Sequence, residues 1–179
     1  METGNIALVS YLSGPLARFL DSLRLELTPD SRPRAHVTIL SPRQLTIPVD
    51  SIMERIEEVC SGCPPFEAKL GDVQIFPGSN VLYVDLIRGG EHLCALHERL
   101  NTGILTSESG YSYHPHATVA QGLEADEARR LLPHARRLWA EFPGSRRFEI
   151  DALSLVREDS YQRWSDLVRI PIAEPVFIR

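Results

Sequence analysis

Two segments with the same order of histidine and threonine contain the residue types best suited to proton-transfer chemistry. Residues 35–40 read AHVTIL and residues 115–120 read PHATVA, so His36 and His116 are each followed, two positions on, by a threonine. On a β-strand, residues two positions apart project from one face, and the apolar residues between them project from the other. We therefore expect His36, Thr38, His116 and Thr118 to line one polar surface.

Two histidines that face one substrate can act as base and acid in a single displacement. The unperturbed pKa of histidine is about 6.5, so either ring can take up or release a proton near neutral pH. Neighbouring threonine hydroxyls can donate hydrogen bonds to oxygens that gain charge in the transition state. Phosphate esters fit this arrangement, and the scheme requires neither a metal ion nor a cofactor.

The histidines and cysteines of this chain have alternative interpretations. An isolated histidine on a β-strand often has only a structural role in the core. Here the same spacing from histidine to threonine occurs twice, which favours a functional role. His114 and His116 could hold a metal ion from one strand face, yet no carboxylate or cysteine stands beside them at ligand spacing. Cys60 and Cys63 have the CxxC spacing of redox and zinc sites, but a second pair is missing. We interpret these cysteines as small residues at a helix end and predict no metal site.

Hydrophobic periodicity predicts alternating strands and helices that would position the two segments. The second helix is expected to end near Gly62, and Pro133 should kink the last helix or split it in two. Residues 41–48 and 106–114 are predicted as loops. The predicted strands are 5–12, 35–40, 66–76, 81–87, 115–121, 147–156 and 164–172. The helices are about 15–27, 52–62, 124–142 and a third helix that begins after Gly90 and ends at 101–103.

The two halves of this order repeat one theme, in which a His-Thr strand is followed by a helix and a hairpin. The repeat predicts two similar α+β lobes related by an approximate two-fold axis. One His-Thr segment from each lobe would then face a shared cleft. We expect residues 1–179 to form a single domain with these two lobes.

The paired segments resemble the HxTx motifs of the 2H phosphoesterase superfamily, in particular its bacterial branch of 2'-5' RNA ligases and RNA 2',3'-cyclic phosphodiesterases. The order of the elements is similar over most of the chain. The resemblance implies a bilobal, LigT-like α+β fold with two antiparallel-sheet lobes, outer helices and a central cleft. It implies hydrolysis of 2',3'-cyclic phosphates to 2'-phosphates, with His36 as proton donor, His116 as proton acceptor, and Thr38 and Thr118 holding the phosphate.

One position departs from that family pattern. RNA-acting members often carry an arginine three residues after the second threonine, where this chain has Gln121. Arg34 and Arg43 flank the first segment and are candidates to replace that phosphate contact. A nucleobase needs an aromatic partner, for which we favour Tyr11 and Tyr113. The other aromatic candidates are Phe76, Tyr161 and Trp164.

The composition restricts the partners. A formal net charge of -5 argues against a broad grip on duplex DNA, which requires many contacts from lysine and arginine to phosphates. No apolar run approaches the length of a membrane span and no signal sequence is evident, so we expect a cytoplasmic monomer that binds a nucleotide or an RNA end with a 2',3'-cyclic phosphate. Two alternatives stay open: the reverse reaction, which is 2'-5' RNA ligation, and a nucleotide-binding module without turnover.

Overall fold

The computed structural model describes residues 4–31, 34–44, 47–107, 110–158 and 163–173. These residues form one long sheet and four α-helices, with a short 3-10 helix at Gly103–Leu105. The strands are β1 (Asn5–Tyr11), β2 (His36–Gln44), β3 (Phe66–Ile75), β4 (Leu82–Arg88), β5 (His116–Ala120), β6 (Arg147–Ile150), β7 (Ala152–Glu158) and β8 (Trp164–Pro171). The helices are α1 (Gly14–Leu27), α2 (Val49–Cys60), α3 (Gly90–Leu100) and α4 (Ala125–Ala140).

The sheet consists of two four-stranded halves joined by the two His-Thr strands. Its order is β6-β3-β4-β5-β2-β1-β7-β8, and each neighbouring pair is antiparallel. We call β2, β1, β7 and β8 the first half-sheet, and β5, β4, β3 and β6 the second. The two halves meet where Val37 of β2 pairs with Ala117 of β5. The predicted α+β class with two antiparallel lobes is confirmed, and the lobes share one continuous sheet.

The helices pack on one face of the sheet and define the core. Val37, Ile39 and Val119 are fully buried beneath them and Ala117 is 2% exposed, because the apolar residues of the two His-Thr strands point to the helices. Helix α1 packs on β5, and α3 packs on β2, so each of these helices covers the His-Thr strand of the other half. This exchange ties the two half-sheets together. The opposite face, which carries the histidines and threonines, is called the open face below.

One predicted strand is divided between the two half-sheets. The strand expected at 147–156 ends at Ile150, which pairs with Phe66 of β3, and resumes at Ala152, which pairs with Pro171 of β8. Only Asp151 separates β6 from β7, and two residues of extended chain span at most about 7 Å. The sheet must therefore curl so that its two ends approach each other. The buried apolar residues that face the helices change phase at the break, from Phe148 and Ile150 to Leu153 and Leu155, so the sequence carries a local sign of it.

The prediction of a loop over residues 41–48 is wrong for residues 41–44. Strand β2 runs on through residues expected to form a loop, because Arg43 and Gln44 pair with Ile6 and Asn5 of β1. Helix α4 is not split at Pro133, which lies within it on an exposed position. The carbonyl that loses its helical hydrogen bond there belongs to Arg129, an exposed residue, so water can bind it instead. Across the described ranges, no helix has both the length and the hydropathy needed to span a membrane.

Candidate active site

The pairing of β2 with β5 brings the four predicted residues together on the open face. Val37 lies opposite Ala117 in an antiparallel register, so one step to either side places His36 opposite Thr118 and Thr38 opposite His116. The two histidines are then diagonal neighbours across the strand pair, with Cα atoms about 7–8 Å apart. All four side chains are partly exposed. The structure thus assembles the predicted polar surface from two segments eighty positions apart.

Each histidine ring makes an equivalent hydrogen bond to a backbone carbonyl two residues earlier in the chain. Nδ1 of His36 lies 2.7 Å from the carbonyl oxygen of Arg34, and Nδ1 of His116 lies 2.7 Å from the carbonyl oxygen of His114. A carbonyl oxygen only accepts hydrogen bonds, so each Nδ1 must carry the proton and donate it. Nε2 is therefore the atom of each neutral ring that can accept a proton. This arrangement fixes the tautomer and orientation that a general base requires.

The surroundings of both rings favour the neutral form. Burial lowers the pKa of His36, and the positive charges of Arg24 and Arg34 add to this effect. Burial also lowers the pKa of His116, as do the neighbouring rings of His114 and His36. In both cases the Nδ1 hydrogen bond to the carbonyl opposes the shift without reversing it. Because the charge of His36 acts on His116, the protonation of the two rings is linked.

The threonine hydroxyls are available to a ligand. Within the described parts of the chain, neither the Thr38 nor the Thr118 hydroxyl has a hydrogen-bond partner. The backbone of Thr38 is well supported, because the Tyr113 hydroxyl donates to its carbonyl oxygen over 2.8 Å. The next carbonyl, that of Ile39, lies 2.7 Å from Nδ1 of His97. Tyr113 and His97 stack with ring centroids 4.0 Å apart, so together they fix β2 beside the histidine.

The first half-sheet contributes a charged cluster beside His36. Tyr11 pairs with His36 across β1 and β2, and the two ring centroids lie 6.2 Å apart in an edge contact. The Arg34 guanidinium lies 3.4 Å above the centroid of the Tyr11 ring. Asp166 of β8 accepts hydrogen bonds from the Tyr11 hydroxyl at 2.8 Å and from Arg34 at 2.6 Å. The predicted residues Tyr11 and Arg34 therefore both lie beside His36, and Arg34 covers one face of the Tyr11 ring.

The second half-sheet contributes aromatic rings beside His116. Phe76 stacks on Tyr83 with centroids 3.8 Å apart, and its ring meets His116 edge-on at 4.9 Å and His114 at 5.4 Å. Tyr83 is only 8% exposed, so Phe76 is the more accessible ring of this stack. Tyr83 pairs with Thr118, and Asp85 pairs with His116. The two sides of the site are thus chemically different.

Other predicted residues lie elsewhere. Arg43 is on the helix face of β2, where its guanidinium donates to Asn101 at 3.0 Å and to the carbonyl of Leu105, so it is not brought together with the histidines. The ring of Tyr113 is occupied by its stack with His97 and does not reach the site as a free platform. Trp164 is partly exposed at the start of β8. Residue 161 lies outside the described residues.

Cys60 and Cys63, the CxxC pair, lie at the end of α2 and just after it. Among the residues that the structure describes, no three histidine, cysteine, aspartate or glutamate side chains are grouped as a metal site would require. Cys60 ends α2, and burial raises the pKa of its thiol to about 12. The sulfur of Cys63 accepts a hydrogen bond from Arg99 at 2.7 Å. Both thiols are free, as the interpretation of a helix-end pair predicts.

Comparison with known proteins then assigns the family. A family model described as the 2'-5' RNA ligase superfamily matches residues 12–162, a range that includes both His-Thr strands. The chain belongs to the 2'-5' RNA ligase superfamily. The Halalkalibacterium halodurans protein named "Putative phosphoesterase BH1439" is 32% identical over 126 residues, which cover 69% of this chain and 73% of that one. A Bacillus cereus relative of the same kind is 32% identical over 103 residues, or 56% of this chain and 59% of its own.

Solved structures of low sequence identity share the fold of this superfamily member. Escherichia coli LigT in its apo form superposes with a TM-score of 0.68 at 15% identity, covering 97% of this chain and all of LigT. The Thermus thermophilus protein TT0787 superposes with a TM-score of 0.69 at 15% identity, covering 95% of this chain and 98% of its own. These matches confirm the predicted LigT-like fold.

Two residues of the site were missed by the sequence analysis. Tyr83 lies between Leu82 and Val84, which are fully buried, so strand alternation already indicates that it projects from the open face. That signal was available once β4 had been predicted. Asp166 offered no such signal, because its place beside Tyr11 and Arg34 depends on how β8 joins the sheet.

Proposed function

We propose that this superfamily member is a phosphodiesterase that hydrolyses 2',3'-cyclic phosphates of nucleotides or RNA ends, without a metal ion, by means of His36 and His116. The observation that carries the proposal is the matched pair of Nδ1 hydrogen bonds to the carbonyls of Arg34 and His114, each 2.7 Å long. These bonds leave Nε2 of each ring for proton transfer. The hydrogen-bonding capacity of Thr38 and Thr118 is also unused by the described residues.

The proposed reaction is an in-line displacement at phosphorus. His116 takes a proton from a water molecule as its oxygen bonds to phosphorus, and the bond from phosphorus to the ribose O3' breaks. His36, protonated at Nε2, gives its proton to O3'. The product is a 2'-phosphate with a free 3'-hydroxyl, and the two threonine hydroxyls donate to the non-bridging oxygens as charge builds up on them. The division of roles between the histidines is the one that the family resemblance implies.

Structures with a related fold give this proposal indirect support. Escherichia coli LigT has been solved in complexes with phosphate and with 3'-AMP, at 14% and 15% identity to this chain. Binding of phosphate and of a nucleoside monophosphate by that protein is consistent with a nucleotide substrate here. We propose that the base stacks on the second half-sheet side, where Phe76 lies accessible over Tyr83.

Turnover of adenosine 2',3'-cyclic phosphate in the presence of a chelator tests the proposal. The wild type should hydrolyse it, and His36→Ala and His116→Ala should each lose about 10²–10⁴-fold in kcat. His92→Ala is the matched control, because His92 is an exposed histidine on α3 outside the site. Equal rates in the wild type and both site variants would overturn the proposal. Tight binding of nucleotide by a wild type that forms no product would instead support a binding module.

A further inference from the structure

The two sides of the site differ in a way that orients a nucleotide. Beside His116 lie the aromatic rings of Phe76 and Tyr83, whereas beside His36 lies the Tyr11 ring with the Arg34 guanidinium 3.4 Å from its centroid. Nucleobases stack on aromatic rings, and guanidinium groups bind phosphates through directed hydrogen bonds. A substrate with a base at one end and an anionic group at the other would match this asymmetry.

A nucleoside 2',3'-cyclic phosphate with a further phosphate on O5' has this layout. The cyclic phosphate hangs from C2' and C3', the base leaves the ribose from C1', and O5' leaves from the C4' side. When the cyclic phosphate lies between His36 and His116 with the base toward Phe76, the C4' side of the ribose faces Arg34. We propose that Arg34 binds this second phosphate, on the 5' side of the terminal nucleoside. This inference rests on the proposed function and names the substrate class more narrowly.

The contacts of Arg34 suit it to this task. Its backbone carbonyl already holds Nδ1 of His36, so its position relative to the reacting phosphate is set by the chain itself. Its side chain lies flat on Tyr11, whose ring contacts His36, and 58% of that side chain is exposed to solvent. The ion pair with Asp166 occupies only part of the guanidinium, which has five N–H donors. Arg34 is therefore oriented and still accessible.

The same orientation agrees with the proposed chemistry. C2' is bonded to C1' and C3' to C4', so a base placed toward Phe76 turns O2' toward His116 and O3' toward His36. His36 is then the group next to O3', and protonation of O3' yields the 2'-phosphate. In the family pattern the second motif supplies an arginine after its threonine, but here that position is the exposed Gln121. In this chain an exposed arginine next to His36 stands before the first motif, at Arg34.

Calorimetry with two product analogues tests this inference without requiring turnover. Adenosine 2',5'-bisphosphate should bind the wild type about five- to tenfold more tightly than adenosine 2'-monophosphate, because a charged hydrogen bond to the second phosphate is added. Arg34→Gln should reduce this ratio to about one, and Arg34→Lys should leave an intermediate ratio, because lysine keeps the charge without the planar fork. Arg129→Gln is the charge-matched control, since Arg129 pairs with Asp126 on the surface of α4.

The outcomes separate this inference from the proposed function. A wild-type ratio of about one, no binding of either analogue, or a high ratio that Arg34→Gln leaves unchanged would overturn it. In parallel, kcat/KM is measured for adenosine 2',3'-cyclic phosphate with and without a 5'-phosphate. Turnover of both substrates with a ratio independent of Arg34 would support the phosphodiesterase and contradict the role of Arg34. Binding that depends on Arg34, with no turnover of either substrate, would support the role of Arg34 and contradict the phosphodiesterase.

Discussion

Val37 lies directly opposite Ala117, and this pairing places the two His-Thr strands side by side in opposite directions. Because the strands are antiparallel, each histidine stands across from the threonine of the other segment. A bound phosphate would therefore meet one histidine and one threonine from each half-sheet. Histidine and threonine thus alternate around the point where the two half-sheets meet.

Removal of one threonine hydroxyl should slow the chemical step. Thr38→Val and Thr118→Val keep the shape of a β-branched residue but lose the donor to a phosphoryl oxygen. We expect each to lower kcat by about 10–100-fold, at or below the usual effect of deleting one transition-state donor. Thr→Ser at the same positions restores the hydroxyl and should recover most of the rate. Thr→Val variants with wild-type kcat would contradict a role for the hydroxyls.

The pH dependence of kcat/KM follows from the lowered pKa values of both histidines. The active form has one neutral and one protonated ring, and burial lowers the pKa of His36 and of His116 below about 6.5. The singly protonated pair is therefore most populated below pH 6.5 in the free enzyme. We expect a bell-shaped profile with its maximum on the acidic side of that value. A profile that keeps rising through about pH 9 would contradict paired histidine roles.

The same shifts predict how stability depends on pH. In the unfolded chain histidine has a pKa of about 6.5, and in the folded protein the pKa values of His36 and His116 are lower. Between these values the unfolded state binds more protons, so the free energy of unfolding should fall as the pH drops below about 6.5. His36→Asn and His116→Asn keep a donor for the carbonyl and should each weaken this fall, as followed by urea denaturation at several pH values. A fall identical to that of the wild type would contradict the assignment.

The hydrogen bond from the Tyr113 hydroxyl to the Thr38 carbonyl should contribute measurably to the free energy of unfolding. Tyr113→Phe keeps the stack on His97 but removes the hydroxyl that donates to the Thr38 carbonyl. We expect a loss of about 1 kcal/mol in the free energy of unfolding, the usual net effect of one hydrogen bond. The loss in kcat should be smaller than that of Thr38→Val, because the Thr38 hydroxyl remains. Unchanged stability would contradict the proposed support.

The shared face of the two histidines and two threonines was predictable because side chains along a β-strand alternate between its two faces. That rule places His36, Thr38, His116 and Thr118 on one face from sequence alone. Arg43 lies on the opposite face, where it pairs with Ile6. Two register irregularities lie between Thr38 and Arg43, so alternation alone does not determine the face of Arg43. Its expected place at the site was wrong because β2 was predicted to end before it.

Long-range pairing was not predictable in the same way. The break at Asp151 occurs because Ile150 pairs in the second half-sheet and Ala152 in the first. The buried residues shift from Phe148 and Ile150 to Leu153 and Leu155 there, which marks a break but does not say which strands the two segments pair with. The place of Asp166 beside Tyr11 and Arg34 has the same origin. Local alternation determines the face on which a side chain lies, whereas tertiary pairing determines its neighbours on that face.

A double-mutant cycle of His36→Asn and His116→Asn on adenosine 2',3'-cyclic phosphate, with chelator present, tests the central claim most directly. If the two rings work as one acid and base pair across a single phosphate, the loss of either disables the same step. Each single variant should then lose nearly as much kcat as the double variant, as for catalytic residues that act as a unit. Losses that multiply in the double variant, or a single variant with the wild-type rate, would contradict the claim.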